Sequence, residues 1–203
     1  MTPNIHYKDR EIAGERLELT KGPLYWLGPN LTLRDCTVII SAARRSLTLM
    51  SGQFINCTIQ VKGELKSLGW GPMKLVGCRF KGRFGGNDFG FREDVDERRK
   101  LGGIEDCDFS EAHLNGCRFF NCDMSTIRLP RWPCFTIMDP RGHAVEMVRR
   151  EWPGQVGILV EGLAKNPEGT VAETWHAPTV AEKMDTTVEE LRAALERAPG
   201  IFM

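Results

Sequence analysis

The chain has 203 residues, 41% of them apolar and 27% charged, which excludes disordered and fibrous classes and suits one domain with an appendage. Lysine plus arginine and aspartate plus glutamate both total 27, so the formal charge is zero and no global field favours nucleic acid or acidic lipid. The segment Met1 to Leu17 lacks the apolar core of a signal peptide, and the apolar run Val156 to Val160 is too short for a bilayer, so the expected compartment is the cytoplasm, with no membrane partner.

Residues 1–30 read as an N-terminal cap. The alternation Leu17-Glu18-Leu19, the pair Tyr25-Trp26 and the turn at Gly28-Pro29 predict a lead-in strand over the first of a series of coils. Coils are predicted because Cys36, Cys57 and Cys78 recur at intervals of 21 residues with matching neighbours: Leu33-Arg34-Asp35-Cys36-Thr37-Val38, Phe54-Ile55-Asn56-Cys57-Thr58-Ile59 and Leu75-Val76-Gly77-Cys78-Arg79-Phe80. The template is apolar, any, Asp/Asn/Gly, Cys, any, apolar. Three more copies centre on Cys107, Cys117 and Cys122.

From Ile104 onward large apolar residues fall every five positions, at Ile104, Phe109, Leu114, Phe119, Met124 and Leu129. A period of five matches neither helix nor strand, so each quintet is expected to form one side of a coil and then turn a corner. Four such sides approach the 21-residue pitch. Residues 31–138 are therefore predicted to be mainly β, a parallel β-helix with its large and small inward residues stacked in ladders.

The run Cys107-Asp108-Phe109-Ser110-Glu111, Ala112-His113-Leu114-Asn115-Gly116, Cys117-Arg118-Phe119-Phe120-Asn121, Cys122-Asp123-Met124-Ser125-Thr126 resembles the pentapeptide-repeat family. That resemblance implies a right-handed, quadrilateral β-helix with Phe or Leu at the inward centre of each side and a small residue beside it. Strict matches cover residues 104–129, whereas residues 31–80 keep the motif about once per coil.

Cys78 and Cys107 are 29 residues apart, so this coil carries an excess, although Phe80, Phe84 and Phe89 continue the apolar ladder. The excess falls in the charged segment 90–103, bounded by glycines and read as a loop projecting from the stack. Its Phe91, Arg92, Asp94, Asp96, Arg98 and Arg99 are the candidate partner-binding residues, aromatic and arginine side chains being common interface anchors.

Residues 139–203 read as a C-terminal helical cap. A short helix is expected over His143 to Trp152, stopped by Pro153-Gly154, and another apolar segment over Val156 to Lys165, followed by a turn at Asn166 to Gly169. The last helix starts at the capping box Thr187-Val188-Glu189-Glu190 and ends before Pro199-Gly200. Trp132, Trp152 and Trp175 are expected to pack this segment onto the stack.

No catalytic residue, metal or cofactor is expected. There is no Cys-x-x-Cys pair for zinc, and the template cysteines read as buried thiols; Cys134, outside the template, is the one to test for reactivity. The histidines lie apart, with His113 at an outward repeat position. Protein binding is the expected role, and the resemblance to small bacterial β-helix proteins implies an immunity-type antagonist that occludes a toxin or effector. A gyrase-interacting duplex mimic is the alternative, opposed by the zero net charge and by Arg44, Arg45, Arg79, Arg83 and Arg118 around the stack. A carbohydrate-active enzyme using the outward Asp106, Asp108 and Asp123 is the second alternative.

Overall fold

A computed structural model of the chain describes residues 3–92 and 102–203. Asn4–Tyr7 (β1), Arg10–Ala13 (β2) and Arg16–Leu19 (β3) make the first circuit, and Leu24–Leu27 (β4), Leu31–Arg34 (β5) and Thr37–Ile40 (β6) the second. Leu47–Leu49 (β7), Gly52–Ile55 (β8) and Thr58–Lys66 (β9) form the third, and Met73–Val76 (β10) and Arg79–Gly85 (β11) the fourth. Asp88–Gly90 (β12), Gly103–Glu105 (β13), Asp108–Asn115 (β14) and Cys117–Phe120 (β15) complete the stack. Strands from successive circuits pair in parallel, giving one sheet in the order β2-β5-β8-β10-β13 and another in the order β3-β6-β9-β11-β14. The fold is thus a parallel β-solenoid of about 4 turns. The segment read as a lead-in is itself the first circuit, with Arg10 opposite Leu31 and Arg16 opposite Thr37.

Each position of the cysteine template has a physical job. Leu33, Phe54 and Leu75 stand in register on one sheet, and Ile104 follows Leu75, all facing inward and nearly or fully buried. The Asp/Asn/Gly position turns the corner: Asp35, Asn56, Gly77 and Asp106 all have φ between 51° and 63°, a left-handed conformation that most side chains resist. Gly116 and Asn121 repeat this at φ 63° and 44° in the last two copies. The cysteine then fills the corner, and its thiol donates to a carbonyl of the preceding circuit: Cys36 to Ile12, Cys57 to Leu33, Cys78 to Phe54 and Cys107 to Leu75. A small, weakly donating group satisfies a carbonyl where ladder geometry is interrupted.

The period of five is accommodated without breaking the strand. Phe109 and Leu114 are both fully buried on the one strand β14, although residues five apart on a regular strand face opposite ways. The register against β11 jumps between Arg79↔Asp108 and Lys81↔Glu111, and this bulge re-aims the second half of the strand inward. A second jump separates Lys81↔Gln60 from Arg83↔Glu64, and on either side of it β9 buries Ile59 and Leu65 and β11 buries Phe80 and Phe84. From the third circuit onward the stack therefore has four sides. The first two circuits have three, because the corresponding segment after β6, Ser41–Ser46, contains a short 3-10 turn at Arg44–Ser46 and no strand.

The C-terminal part mixes strands with helices: Cys134–Met138 (β16), Pro140–Val148 (α1), Val156–Gly162 (α2), Thr170–His176 (β17), Ala177–Lys183 (α3), Val188–Leu195 (α4) and Ile201–Phe202 (β18). Helix α1 begins earlier than the sequence suggested, at the Asp139 cap whose carboxylate accepts from the Gly142 amide. Helix α4 has its capping box intact, with Thr187 and Glu190 bonded reciprocally. Strand β17 was not anticipated. It runs antiparallel between β15 and β16 and so joins the last parallel rung to the C-terminal part. Behind β16, Phe135 and Ile137 pack with Met147, Val160, Val180 and Leu191 in a second core, against which Trp132, Trp152 and Trp175 also lie.

Candidate binding surfaces

The inserted segment leaves the stack after β12 and returns at β13, where the offset between paired residues rises from 21 to 29 (Gly52↔Met73 against Lys74↔Gly103). Phe91 and Arg92 are described here; Asp94, Asp96, Arg98 and Arg99 lie outside the described residues. Both described residues belong to the base of the insertion. The Phe91 carbonyl accepts from Asn121 Nδ2 at 2.9 Å. Arg92 donates to Asp88 Oδ2 at 3.0 Å, and Arg118 grips both oxygens of the same carboxylate at 2.9 and 3.1 Å. The Arg92 and Arg118 guanidiniums also lie 5.0 and 5.6 Å from the Phe120 ring centre, within cation–π range. Arg92 thus braces the exit of the insertion. Two glycines let the chain approach its neighbours there: a Cβ at Gly90 (φ 86°) would overlap the Phe120 carbonyl, and one at Gly102 the Gly71 carbonyl.

The outward carboxylates are held in local roles. Asp106 is a corner residue at φ 51°, and Asp123 accepts from the Ser125 amide at the start of a 3-10 turn. Burial opposes ionisation of Asp108, but bonds from the Ser110 hydroxyl and amide, with Arg128 and Arg79 both at 3.6 Å, hold its carboxyl below the ordinary value.

His113 is not a solvated surface imidazole. Its ring lies against His176 of β17 with centroids 3.7 Å apart, and His176 Nδ1 is 2.9 Å from the Thr179 hydroxyl. Burial, then the neighbouring His113, pushes His176 down to about 4, so His176 is neutral at pH 7; burial, then Arg83, also lowers His113, and the two ring planes are inclined by 36°. Cys134 is buried, donates to the Leu114 carbonyl at 3.7 Å, and has its pKa raised by burial; this thiol is not set up for reactivity. Cys117, pushed up to about 12 by burial, is likewise inert. Among the described residues, no group of three or more His, Cys, Asp or Glu is arranged to hold a metal ion, and no helix is long and apolar enough to cross a membrane.

A groove of about 670 Å³, which the sequence reading missed, opens where the first two circuits lack a fourth side. Its floor is Leu24, Ile40, Ala42 and Val61, and Lys21, Arg45 and Lys62 stand on its rim. Lys21 comes from the first circuit's exit, Arg45 from the 3-10 turn and Lys62 from the bulge of β9. The available signal was Ser41-Ala42-Ala43-Arg44-Arg45-Ser46, which has no large apolar residue where Leu65, Phe84 and Leu114 occupy the later circuits. A scan against protein-family models gives no match to this chain, and a search of curated proteins gives none.

Proposed function

We propose that the chain is a non-catalytic protein-binding module of the pentapeptide-repeat kind, acting as an immunity-type antagonist that presents the 90–103 insertion and the adjoining coil face to a toxin or effector. The observation that carries this reading is the single long circuit: a regular 21-residue ladder accepts a 29-residue step, and its exit is braced by Asp88, Arg92, Arg118 and Phe120. A preformed base lowers the ordering cost of docking the charged residues beyond it. The buried residues Ile104, Phe109, Leu114 and Phe119, one on each side of the same circuit, support the repeat assignment, and the use of outward carboxylates as corners, caps and ion pairs supports a non-catalytic role. Seven free thiols, six of them buried, fit a reducing cytoplasm.

The test is affinity capture from the source cell's lysate with wild type and with the double variant Arg98→Glu, Arg99→Glu. A single protein held by wild type and lost by the variant, with thermal stability unchanged, is the expected result. Equal retention by both removes the insertion as the contact surface, and capture of gyrase would replace antagonism with duplex mimicry.

A further inference from the structure

The groove beside the first circuits is a second surface, on another corner of the stack from the 90–103 insertion. Its geometry follows from the loss of one side. Strand β9 pairs with β6 only as far as Ile40↔Val61, but with β11 it continues through Arg83↔Glu64, Phe84↔Leu65 and Gly85↔Lys66. Its second half is therefore a sheet edge, since the second circuit supplies Ser41–Ser46, with no strand, on that side. In a parallel ladder alternate residues direct both backbone groups to one side. Ser67 donates to the Gly85 carbonyl on the β11 side, as the alternation from Leu65 requires, so Glu64 and Lys66 direct their N–H and C=O groups toward the groove.

Three cations surround this edge. Among the described residues Lys21, Arg45 and Lys62 have no carboxylate within ion-pair distance, while the one acid of the lining, Glu64, is paired with Lys66 at 3.2 Å. Arg44 is different: it donates to the Ser67 and Leu47 carbonyls and does not line the groove. The cations come from three consecutive circuits, about 4.8 Å apart along the stack. Below them the floor is aliphatic, and no aromatic side chain lines the groove to stack on a base or a sugar.

We infer that this groove binds an extended acidic segment of a partner protein by strand addition. The segment takes the place of the missing fourth side of the second circuit, hydrogen-bonds to the edge of β9 and alternates apolar residues, directed at Leu24, Ile40 and Val61, with carboxylates directed at Lys21, Arg45 and Lys62.

The probe is a short fluorescein-labelled peptide alternating glutamate with valine, titrated with the full chain and followed by anisotropy. Saturable binding that weakens with salt is expected. The triple variant Lys21→Glu, Arg45→Glu, Lys62→Glu, all at exposed positions, should bind at least about tenfold more weakly with its thermal transition unchanged. The same peptide N-methylated at alternate amides should also lose at least about tenfold, because it keeps its charge and loses its ladder donors. A lysine–valine peptide that binds as well, an N-methylated peptide unaffected, no saturation by the acidic peptide, or tighter binding of a single-stranded oligonucleotide or a polyuronate would each overturn the proposal.

Discussion

The two halves of the solenoid enclose different cross-sections, although the 21-residue step between the first circuits continues as far as the fourth. The first two circuits close with three strands and a loop around aliphatic side chains such as Leu19, Leu31, Leu33 and Val38. From the third circuit onward a fourth side appears and the interior turns aromatic: Trp70, Phe80, Phe84, Phe89, Phe109 and Phe119 form a continuous set of ring contacts with centroids 4.3 to 6.3 Å apart. A wider section needs larger side chains to reach native packing density, and rings in edge and offset contact fill it. The ends differ as well. On the last rung β15 is joined to β17 while β13 and β14 end their sheets, whereas none of β1, β2 and β3 has a strand beyond its outer edge among the described residues.

The strongest way to break this contrast is to place the same charge in each half. Phe109→Asp puts a carboxylate among fully buried rings and should abolish the cooperative thermal transition, because the burial penalty rivals the whole stability of a domain. Ile12→Asp, at a half-buried position in the first circuit, should keep a cooperative transition with a lowered midpoint. Thermal unfolding followed by circular dichroism compares the two, and equal loss of folding would mean that the first circuit is as integral to the core as the rung that carries β14.

The corner residues offer a smaller and sharper comparison. Asn56→Val forces a β-branched side chain to φ 53° and should cost about 1–3 kcal/mol, whereas Asn56→Gly should be nearly neutral. Urea unfolding of both variants checks this; equal midpoints would show that the backbone relaxes at this corner.

The least effect is expected at the closed end. Glu173 on β17 is nine-tenths buried and accepts from Asn166 Nδ2 at 2.9 Å; burial, only partly offset by Asn166 and Arg118, raises its pKa. The folded chain then holds this proton more tightly than the unfolded chain, so its contribution is full below the unfolded carboxyl value and declines as pH rises through the raised one. Glu173→Gln should therefore melt higher than wild type, with a margin that widens from acid to neutral pH. A margin independent of pH would show that the carboxyl titrates normally.

Legibility in the sequence followed the same division. Where every quintet carries its own apolar and small residue, from Ile104 to Leu129, the sides and inward residues could be assigned one by one. In the earlier circuits only the corner at each cysteine was visible. The sequence does not say whether the residues opposite that corner form a strand or a loop, and the three-sided section and its groove went unseen. The first circuit was read as a cap because it carries no cysteine, although Asp9 and Gly14 already hold its corners at φ 50° and 67°. Strand β17 escaped for another reason. It lies between two strands with both faces largely buried, so Thr170–His176 lacks the alternation that marks a half-exposed strand. Of the proposed contact residues, Arg92 was legible as a surface cation, but the carboxylate it engages, Asp88, is shared with Arg118, thirty residues beyond Asp88 in the next circuit.

The antiparallel strand at the end of the stack also determines how copies of this molecule can meet. A solenoid with two bare ends can add subunits head to tail without limit, because the top of one matches the bottom of the next. Here β17 lies antiparallel against β15, so a copy cannot add a parallel strand to β15 at that end, whereas β1, β2 and β3 all keep an outer edge without a strand among the described residues. That break in the parallel register is one device by which a repeat fold with fibre-forming geometry opposes unlimited head-to-tail growth.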